Sequence, residues 1–188
     1  LYPLGPAVLP GTYTVKLTAN GKSQTQPLVV KMDPRVTTSA AGLEQQFKLS
    51  LEAYRGMQQT FDAVEEIRKF REQKKGNADA DKKAAAIAGE GRSDASSPGL
   101  PGGTIDVRDP NLTRLNNGFS SLLEHLQNAD LPPTAPMVQA AAELQKVLTK
   151  LLNDWNELKS KGATASNFDL LIRNGRIIDG SGQAGYNA

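Results

Sequence analysis

The sequence lacks several residue types on which common active sites depend. Its 188 residues include no cysteine and a single histidine. The absence of cysteine excludes disulfides, thiolate zinc sites and cysteine nucleophiles. With 22 basic against 20 acidic residues, the formal charge of +2 produces no field that favours nucleic acid or an anionic membrane. No apolar run is long enough to span a bilayer, and no signal-peptide pattern is present.

The longest periodic pattern lies between Thr38 and Lys75. Large apolar residues recur there every three or four positions, which predicts one apolar face on a long helix. These residues are Leu43, Phe47, Leu51, Tyr54, Met57, Phe61, Val64, Ile67 and Phe70. Thr37, Thr38 and Ser39 are candidate N-caps. Because such a face must be covered, the pattern predicts partner helices elsewhere in the chain.

Two later stretches carry apolar faces of the same kind. The first is predicted to begin with Asp109 as N-cap and Pro110 as first helical residue, and the second runs from Thr134 to about Lys161. Their apolar positions are Leu112, Leu115, Phe119, Leu122, Leu123 and Leu126, then Ala141, Leu144, Leu148, Leu151, Trp155 and Leu158. The short, proline-rich connection between them predicts antiparallel neighbours. A weaker helix is predicted over Ala78–Ala88.

The N-terminal part of the chain has the pattern of a β-hairpin. Residues 12–18 alternate between apolar and polar, which predicts a half-buried strand. Asn20-Gly21 favours a type I′ turn, and the return strand is expected over residues 23–32, with Pro27 at an edge or a bulge. The hairpin is either a flap on the helices or the last two strands of a β-sandwich whose earlier strands lie upstream, and we favour the sandwich.

The predicted fold class is therefore mainly α. An antiparallel three- to four-helix bundle occupies residues 38–162, with a mobile linker at 89–103 that is rich in Gly, Ser and Pro. The hairpin of residues 1–34, which we interpret as a remnant of a β-sandwich, precedes the bundle, and a β-like tail over 163–188 follows it. We expect the chain to be a piece of a longer protein.

The tail carries two short apolar runs around Asn174-Gly175, which predicts a second tight hairpin. Its large apolar residues are Leu170, Ile172, Ile177 and Ile178. They would pack on the bundle, pair with another chain or belong to a domain that is completed elsewhere. Residues 168–178 thus offer strands through which homo-oligomers could form.

Several residues of chemically active types lack the neighbours that a reaction needs. His125 lies beside a leucine stripe, where a surface or boundary position on a helix is expected rather than a metal ligand. Asp79 and Asp81 are not followed by the glycine and distal glutamate of a calcium loop. Glu65 and Glu66 would point in different directions on a helix, so they do not form an acid–base pair.

The remaining candidate motifs also favour structural roles. Trp155 occupies an apolar helix position and is predicted to lie in the core. Gly102-Gly103 and Gly180-Ser181-Gly182 lack the spacing of a phosphate-binding loop, and Ser181 lacks the flanking pattern of a nucleophile elbow. Basic residues in 68–75 alternate with glutamates, unlike a nucleic-acid stripe. We therefore predict no catalytic, cofactor-binding or metal-binding residue, and we expect that the chain is not an enzyme.

Residues 10–161 resemble the C-terminal region of bacterial proteins built on BNR-repeat, sortilin-like β-propellers, which are often labelled glycosyl hydrolases. The phrases that carry the resemblance are PGTYTVKLTANGKSQTQPLVVKMDPRV, LTRLNNGFSSLLEHLQNADLPPTAP and WNELK. The resemblance implies an accessory or interaction module, the end of an immunoglobulin-like sandwich followed by a helical bundle, which follows an upstream propeller in an exported protein, periplasmic or extracellular. Its partner would be that propeller or another protein chain.

Residues 168–182, FDLLIRNGRIIDGSG, resemble a different family, the first strands of metal-dependent amidohydrolases such as N-acyl-D-amino-acid deacylases. That family's metal-binding His-x-His would lie beyond Ala188, so none of its catalytic residues falls in this sequence. The alternative that this resemblance implies is the N-terminal part of an amidohydrolase whose catalytic domain lies downstream.

Overall fold

A computed structural model describes residues 5–73, 77–90, 110–164, 176–177 and 186–187. Over these residues the chain is mainly helical, with a two-stranded antiparallel hairpin at its N-terminal end. The strands and helices are β1 (Gly11–Ala19), β2 (Lys22–Val30), α1 (Ala40–Gln73), α2 (Ala78–Ala88), α3 (Leu112–Gln127), α4 (Ala135–Thr164), β3 (Arg176–Ile177) and β4 (Tyr186–Asn187). Most of the predicted linker and the Asn174-Gly175 turn lie outside the described residues.

The predicted N-terminal hairpin is confirmed, including its turn. β1 pairs antiparallel with β2 from Gly11 opposite Val30 to Ala19 opposite Lys22. The two loop residues both have positive φ, 49° at Asn20 and 75° at Gly21, as a type I′ turn requires. The pairing continues without interruption through Pro27, so of the two alternatives for this proline the bulge is wrong.

The apolar face that the sequence predicts for α1 is only partly right. The buried residues of α1 are Gly42, Leu43, Ser50, Ala53, Gly56, Thr60, Ala63 and Ile67. Phe61 is exposed, and most of the other large residues of the predicted stripe lie at the margin of the core. The reason is that small side chains let the helices approach closely. A Cβ atom on Gly56 would lie 2.5 Å from Cζ of Phe119 in α3.

The apolar stripe predicted for α3 is buried in full, and that of α4 is buried from Ala141 to Trp155. The start of α3 differs from the prediction, because Asn111 rather than Asp109 is the N-cap. The Asn111 side chain accepts a hydrogen bond from the backbone N–H of Arg114 at 2.9 Å, and Pro110 precedes the helix. α4 continues through Gly162 to Thr164, beyond the predicted end near Lys161, because extending a long helix is easier than starting one.

Contacts along α1 show the chain direction of α3 relative to α1. Near its start, Gln46 donates hydrogen bonds to the carbonyls of Leu126 and Ala129, at the end of α3. Farther along, the Met57 carbonyl accepts a hydrogen bond from Asn116 near the start of α3, at 3.0 Å. The α1–α3 contacts therefore run in opposite chain directions. One apolar core includes residues of α1, α2, α3 and α4.

The short helix α2 has the predicted bounds, and its fully buried residues are all small, while Ile87 is partly buried against the same core. Its buried residues are Ala80, Ala84 and Ala88. The Thr113 hydroxyl donates a hydrogen bond to the Ala88 carbonyl at 2.7 Å. Gly89 ends the helix with φ at 86°, and a Cβ atom there would lie 2.3 Å from Oδ1 of Asn111. The end of α2 thus packs directly against the start of α3.

Candidate interaction surface

One face of the hairpin carries apolar side chains that no described element covers. The register places Tyr13, Val15 and Leu17 of β1 on the same face as Leu28 and Val30 of β2. Leu17 is 69% exposed, and Val15 and Leu28 are each 50% exposed. Neither strand packs against a helix in the described part of the chain. The prediction of a half-buried strand is therefore wrong for Val15 and Leu17, although Tyr13 is half-buried and the predicted alternation is present.

The opposite face of the hairpin is mostly polar. Thr12, Thr14, Lys16 and Thr18 of β1 lie on it, opposite Ser23, Thr25, Pro27 and Val29 of β2. The hydroxyls of Thr18 and Ser23 are 2.8 Å apart, within hydrogen-bonding distance. Between Gly11 and Val30 the charged residues are Lys16 and Lys22, and no acidic residue is present. The hairpin is therefore cationic.

The base of the hairpin, unlike its strands, is attached to the helices. The backbone N–H of Ala7 donates a hydrogen bond to Oε1 of Gln127 at 2.6 Å. On the other side, the Thr38 hydroxyl donates to the Asp130 carbonyl at 2.5 Å. A cavity of about 50 Å³ lies at this base, and its lining includes Met32 and Ser50. The hairpin thus extends from a fixed base, with its strands free of the helices.

A second surface feature lies on α1, near the middle of the helix. An open groove of about 670 Å³ is lined by seven α1 residues and by Asn116 of α3. Phe61, which is 62% exposed, forms part of its wall. At the edge of the groove the Asn116 amide donates to Oγ1 of the fully buried Thr60 at 2.7 Å. This contact and the Asn116–Met57 bond join the helices, so the polar groups here serve packing.

Trp155 lies in the core, as predicted, and links α4 to α1. Its indole N–H donates to Oε2 of Glu66 at 2.8 Å, and the Lys159 ammonium lies 2.9 Å from Oε1 of the same carboxylate. These hydrogen bonds, that of Trp155 first, hold the pKa of Glu66 below its ordinary value. The ring of Phe70 meets the Trp155 ring edge-on, with centroids 5.1 Å apart. The cluster is a polar seam beside the core.

A second charged cluster joins α1 to α2. Nε of Arg71 donates to Oδ1 of Asp81 at 2.7 Å, and Arg71 also pairs with Glu90. The hydrogen bond between Arg71 and Asp81 raises the pKa of the arginine and lowers that of the carboxylate. Arg68 pairs with Glu65 on the same helix. Arg68 and Arg71, in the last turns of α1, are therefore both paired with carboxylates.

The other residues singled out in the sequence lie apart from one another. His125 is exposed on α3, as predicted, with Nδ1 2.6 Å from the Ser121 carbonyl oxygen. Asp79 pairs with Lys83 on the surface of α2. Among the described residues, no group of three or more His, Asp or Glu side chains could hold a metal ion. Ser181 and the two glycine-rich motifs lie outside the described residues.

Two features were missed by reasoning from the sequence. The buried positions from Ser50 to Ile67 are spaced three or four residues apart, but all except Ile67 are small or polar. A search for small residues at helical spacing would have found this stripe. The second feature, Gln46 capping the end of α3, has no signal in the sequence because it depends on how the two helices meet.

Comparisons of the chain with protein-family models, with curated proteins and with solved structures found no match. None of the helices that the structure describes is both long enough and apolar enough to cross a membrane.

Proposed function

We propose that the chain is a non-catalytic interaction module, in which a helical stem carries a β-hairpin that pairs with further β-structure. The observation that supports this is the uncovered apolar face of the hairpin, on which Val15, Leu17 and Leu28 are half or more exposed. An isolated two-stranded hairpin is marginally stable in water, because it buries little apolar surface. Covering this face would remove the cost of that exposure.

The helices suit the role of a stem. We propose that they form an antiparallel bundle, with α1 as its spine. The 34 residues of α1 correspond to a length of about 50 Å. The apolar core and the seams formed by Trp155 and Arg71 are internal to the helices, so the hairpin can engage a partner without their rearrangement.

The partner that we propose is β-structure of a longer protein. The resemblance of residues 10–161 to the C-terminal region of BNR-repeat, sortilin-like propeller proteins supports an upstream propeller and, between it and this chain, the earlier strands of a sandwich. Under this proposal the protein is exported, and any hydrolytic activity belongs to the propeller. The hairpin would then be the last part of the sandwich, and the helices an accessory domain.

Because the sequence contains no cysteine, the reactivity of a single introduced cysteine can test whether the hairpin face is covered. A single cysteine is introduced as Leu17→Cys, and its reaction with a maleimide is timed in this chain and in the polypeptide of the complete reading frame. We expect rapid labelling in the chain alone and at least about tenfold slower labelling in the complete polypeptide, because the face is then covered. The matched control is Phe61→Cys, at an exposed position of α1, which should react equally in both.

Equal labelling of Leu17→Cys in the two polypeptides would contradict the proposal. A difference shared by Phe61→Cys would count against it as well, because it would show general shielding of the chain rather than cover over the hairpin face.

A second candidate function is the N-terminal part of a metal-dependent amidohydrolase. The observation in its favour is that β3, which lies within the stretch 168–182 that resembles the first strands of that family, pairs antiparallel with β4, just beyond that stretch. This proposal requires a downstream domain with a His-x-His motif in the same reading frame. Sequencing the coding DNA after Ala188 tests it, since a stop codon close behind would exclude such a domain.

A further inference from the structure

We infer that the partner adds a strand to the outer edge of β1 and not to that of β2, and that this strand alternates apolar and acidic residues. The inference rests on the proposed function, because it names the edge and the chemistry by which the hairpin would pair. It follows from the register, from the position of Pro27 and from the charges of the hairpin.

The turn determines which residues of the hairpin point outward. In a β-turn the carbonyl of the first residue accepts a hydrogen bond from the N–H of the fourth, so Ala19 and Lys22 form a hydrogen-bonded pair. Hydrogen-bonded and non-hydrogen-bonded pairs alternate along an antiparallel ladder. Thr14 and Pro27 are opposite each other, five pairs from the turn. They therefore form a non-hydrogen-bonded pair, whose backbone groups point away from the partner strand.

The side chains nearest the turn support this assignment of hydrogen-bonded and non-hydrogen-bonded pairs. Thr18 lies opposite Ser23, one pair beyond the turn, and their hydroxyls are 2.8 Å apart. Such a close approach is typical of non-hydrogen-bonded pairs, in which facing side chains lie nearer each other. Because the two kinds of pair alternate, the pairs Lys16–Thr25 and Thr14–Pro27 are also non-hydrogen-bonded pairs.

Pro27 consequently closes one edge of the hairpin and leaves the other open. Its missing N–H would have pointed outward, so the ladder with β1 loses no hydrogen bond, but the outer edge of β2 lacks a donor at its centre. The outer edge of β1 presents the N–H and carbonyl groups of Thr12, Thr14, Lys16 and Thr18. No described strand pairs with this edge. β1 is thus the edge to which a strand can be added with a full set of hydrogen bonds.

Charge and apolarity indicate what kind of strand fits. A strand added beside β1 continues both faces of the hairpin, so every second side chain extends the Tyr13, Val15 and Leu17 face and should be apolar. The side chains between them continue the face of Lys16, in a hairpin without acidic residues, so carboxylates are favoured there. For a second copy of this chain, the symmetric register about Lys16 is unfavourable. Antiparallel pairing of two β1 edges centred on Lys16 would place the two ammonium groups opposite each other.

The test exchanges the open and closed edges. Because Thr14 and Pro27 are opposite each other, the double variant Thr14→Pro, Pro27→Thr moves the proline from one edge to the other without changing composition. The probe is a nine-residue peptide of alternating valine and glutamate with blocked ends and a fluorophore, and its binding to the whole chain is followed by anisotropy. A peptide with lysine in place of glutamate is the control ligand.

We expect the wild-type chain to bind one acidic peptide and to bind the lysine peptide at least about tenfold more weakly. Thr14→Pro should weaken binding of the acidic peptide about tenfold or more, whereas Thr14→Val, which keeps the N–H, should not. Pro27→Thr should keep the first site and add a second, which provides a test that does not depend on how well Thr14→Pro folds.

Binding that is unchanged in Thr14→Pro, or that appears only in Pro27→Thr, would overturn the assignment of the edge but leave the hairpin as the interacting element. Equal affinity for both peptides would overturn the acidic partner. Absence of binding by both the wild type and Pro27→Thr would contradict pairing by either edge. The maleimide experiment on Leu17→Cys reports separately whether the face is covered, so failure of this inference and failure of the proposed function are distinguishable.

Discussion

Gly56 of α1 lies against the ring of Phe119 of α3, so closely that a Cβ atom on the glycine would be 2.5 Å from Cζ of the ring. The ring is 1% exposed and cannot move toward solvent. This contact lies within the extensive α1–α3 interface, where the small residues of α1 face the leucine stripe of α3. The packing of the stem therefore depends on the absence of a side chain at residue 56.

We predict that Gly56→Ala destabilises the protein, although alanine is the better helix former. The helix propensity gain of about 1 kcal/mol is smaller than the cost of forcing a methyl group into a packed core, about 1–3 kcal/mol. Urea unfolding followed by circular dichroism measures the difference. Adding Phe119→Leu should make the double variant more stable than the sum of the single effects. Additive effects would show that the glycine and the ring do not interact.

Gln46 is predicted to stabilise α3 from outside that helix. Its amide donates to the carbonyl of Leu126, in the last turn of α3, and to that of Ala129 just beyond the helix, which also accepts from the Leu131 N–H. Gln46→Glu replaces the donor by a carboxylate beside the negative end of the helix, and we expect a loss of about 1–3 kcal/mol in unfolding free energy. Gln45→Glu, at an exposed neighbouring position, is the matched control and should change stability by less than about 0.5 kcal/mol.

Glu66 is predicted to make the stability of the chain depend on pH. Because its pKa in the folded protein lies below the ordinary value of 4.5, its contribution is present above pH 4.5 and is lost as the pH falls through the folded pKa. Glu66→Gln removes the charge but keeps an acceptor for Trp155. Melting temperatures between pH 3 and 7 should therefore differ most from the wild type at neutral pH and converge in acid.

The control for this pH series is Glu52→Gln, which removes an exposed carboxylate from the same helix. Its melting temperature should differ from that of the wild type by a similar amount across the series. If Glu66→Gln behaved in the same way, the ionised seam between α1 and α4 would contribute nothing that depends on pH.

Substitutions in the stem and in the hairpin are predicted to have very different costs. Trp155→Ala leaves a cavity in the core, and we expect a loss of about 3–5 kcal/mol. Leu148→Asp buries an unpaired charge and should be at least as damaging. Leu17→Thr should leave helical unfolding within about 0.5 kcal/mol of the wild type, because β1 makes no contact with a described helix. A larger loss in Leu17→Thr would show that the hairpin contributes to the stem.

Local signals in the sequence account for much of the fold. Asn20-Gly21 predicts the turn because few other residue pairs accept two positive φ values. The stripe of α3 is dominated by leucines and is buried as predicted. The face of α1 could not be read in the same way. Large residues such as Phe61 dominate a hydrophobic pattern, whereas the core side consists of residues small enough for close approach, such as Gly56.

The candidate surface could be predicted only in part. Alternation in residues 12–18 shows that one face of β1 is apolar, but not whether anything in this chain covers it. That depends on where the helices lie relative to the hairpin, which no local pattern contains. The open edge of the hairpin can be assigned from Pro27 and the turn alone once the strand register is known.

The central claim is that β1 is paired and covered when the chain is part of its complete polypeptide. Amide hydrogen exchange at Thr14, Lys16 and Thr18 tests it most directly, because these N–H groups point away from β2. The claim predicts fast exchange in this chain alone and exchange slowed at least about a hundredfold in the polypeptide of the complete reading frame, with α3 amides protected in both. Equally fast exchange of the three amides in both polypeptides would contradict it.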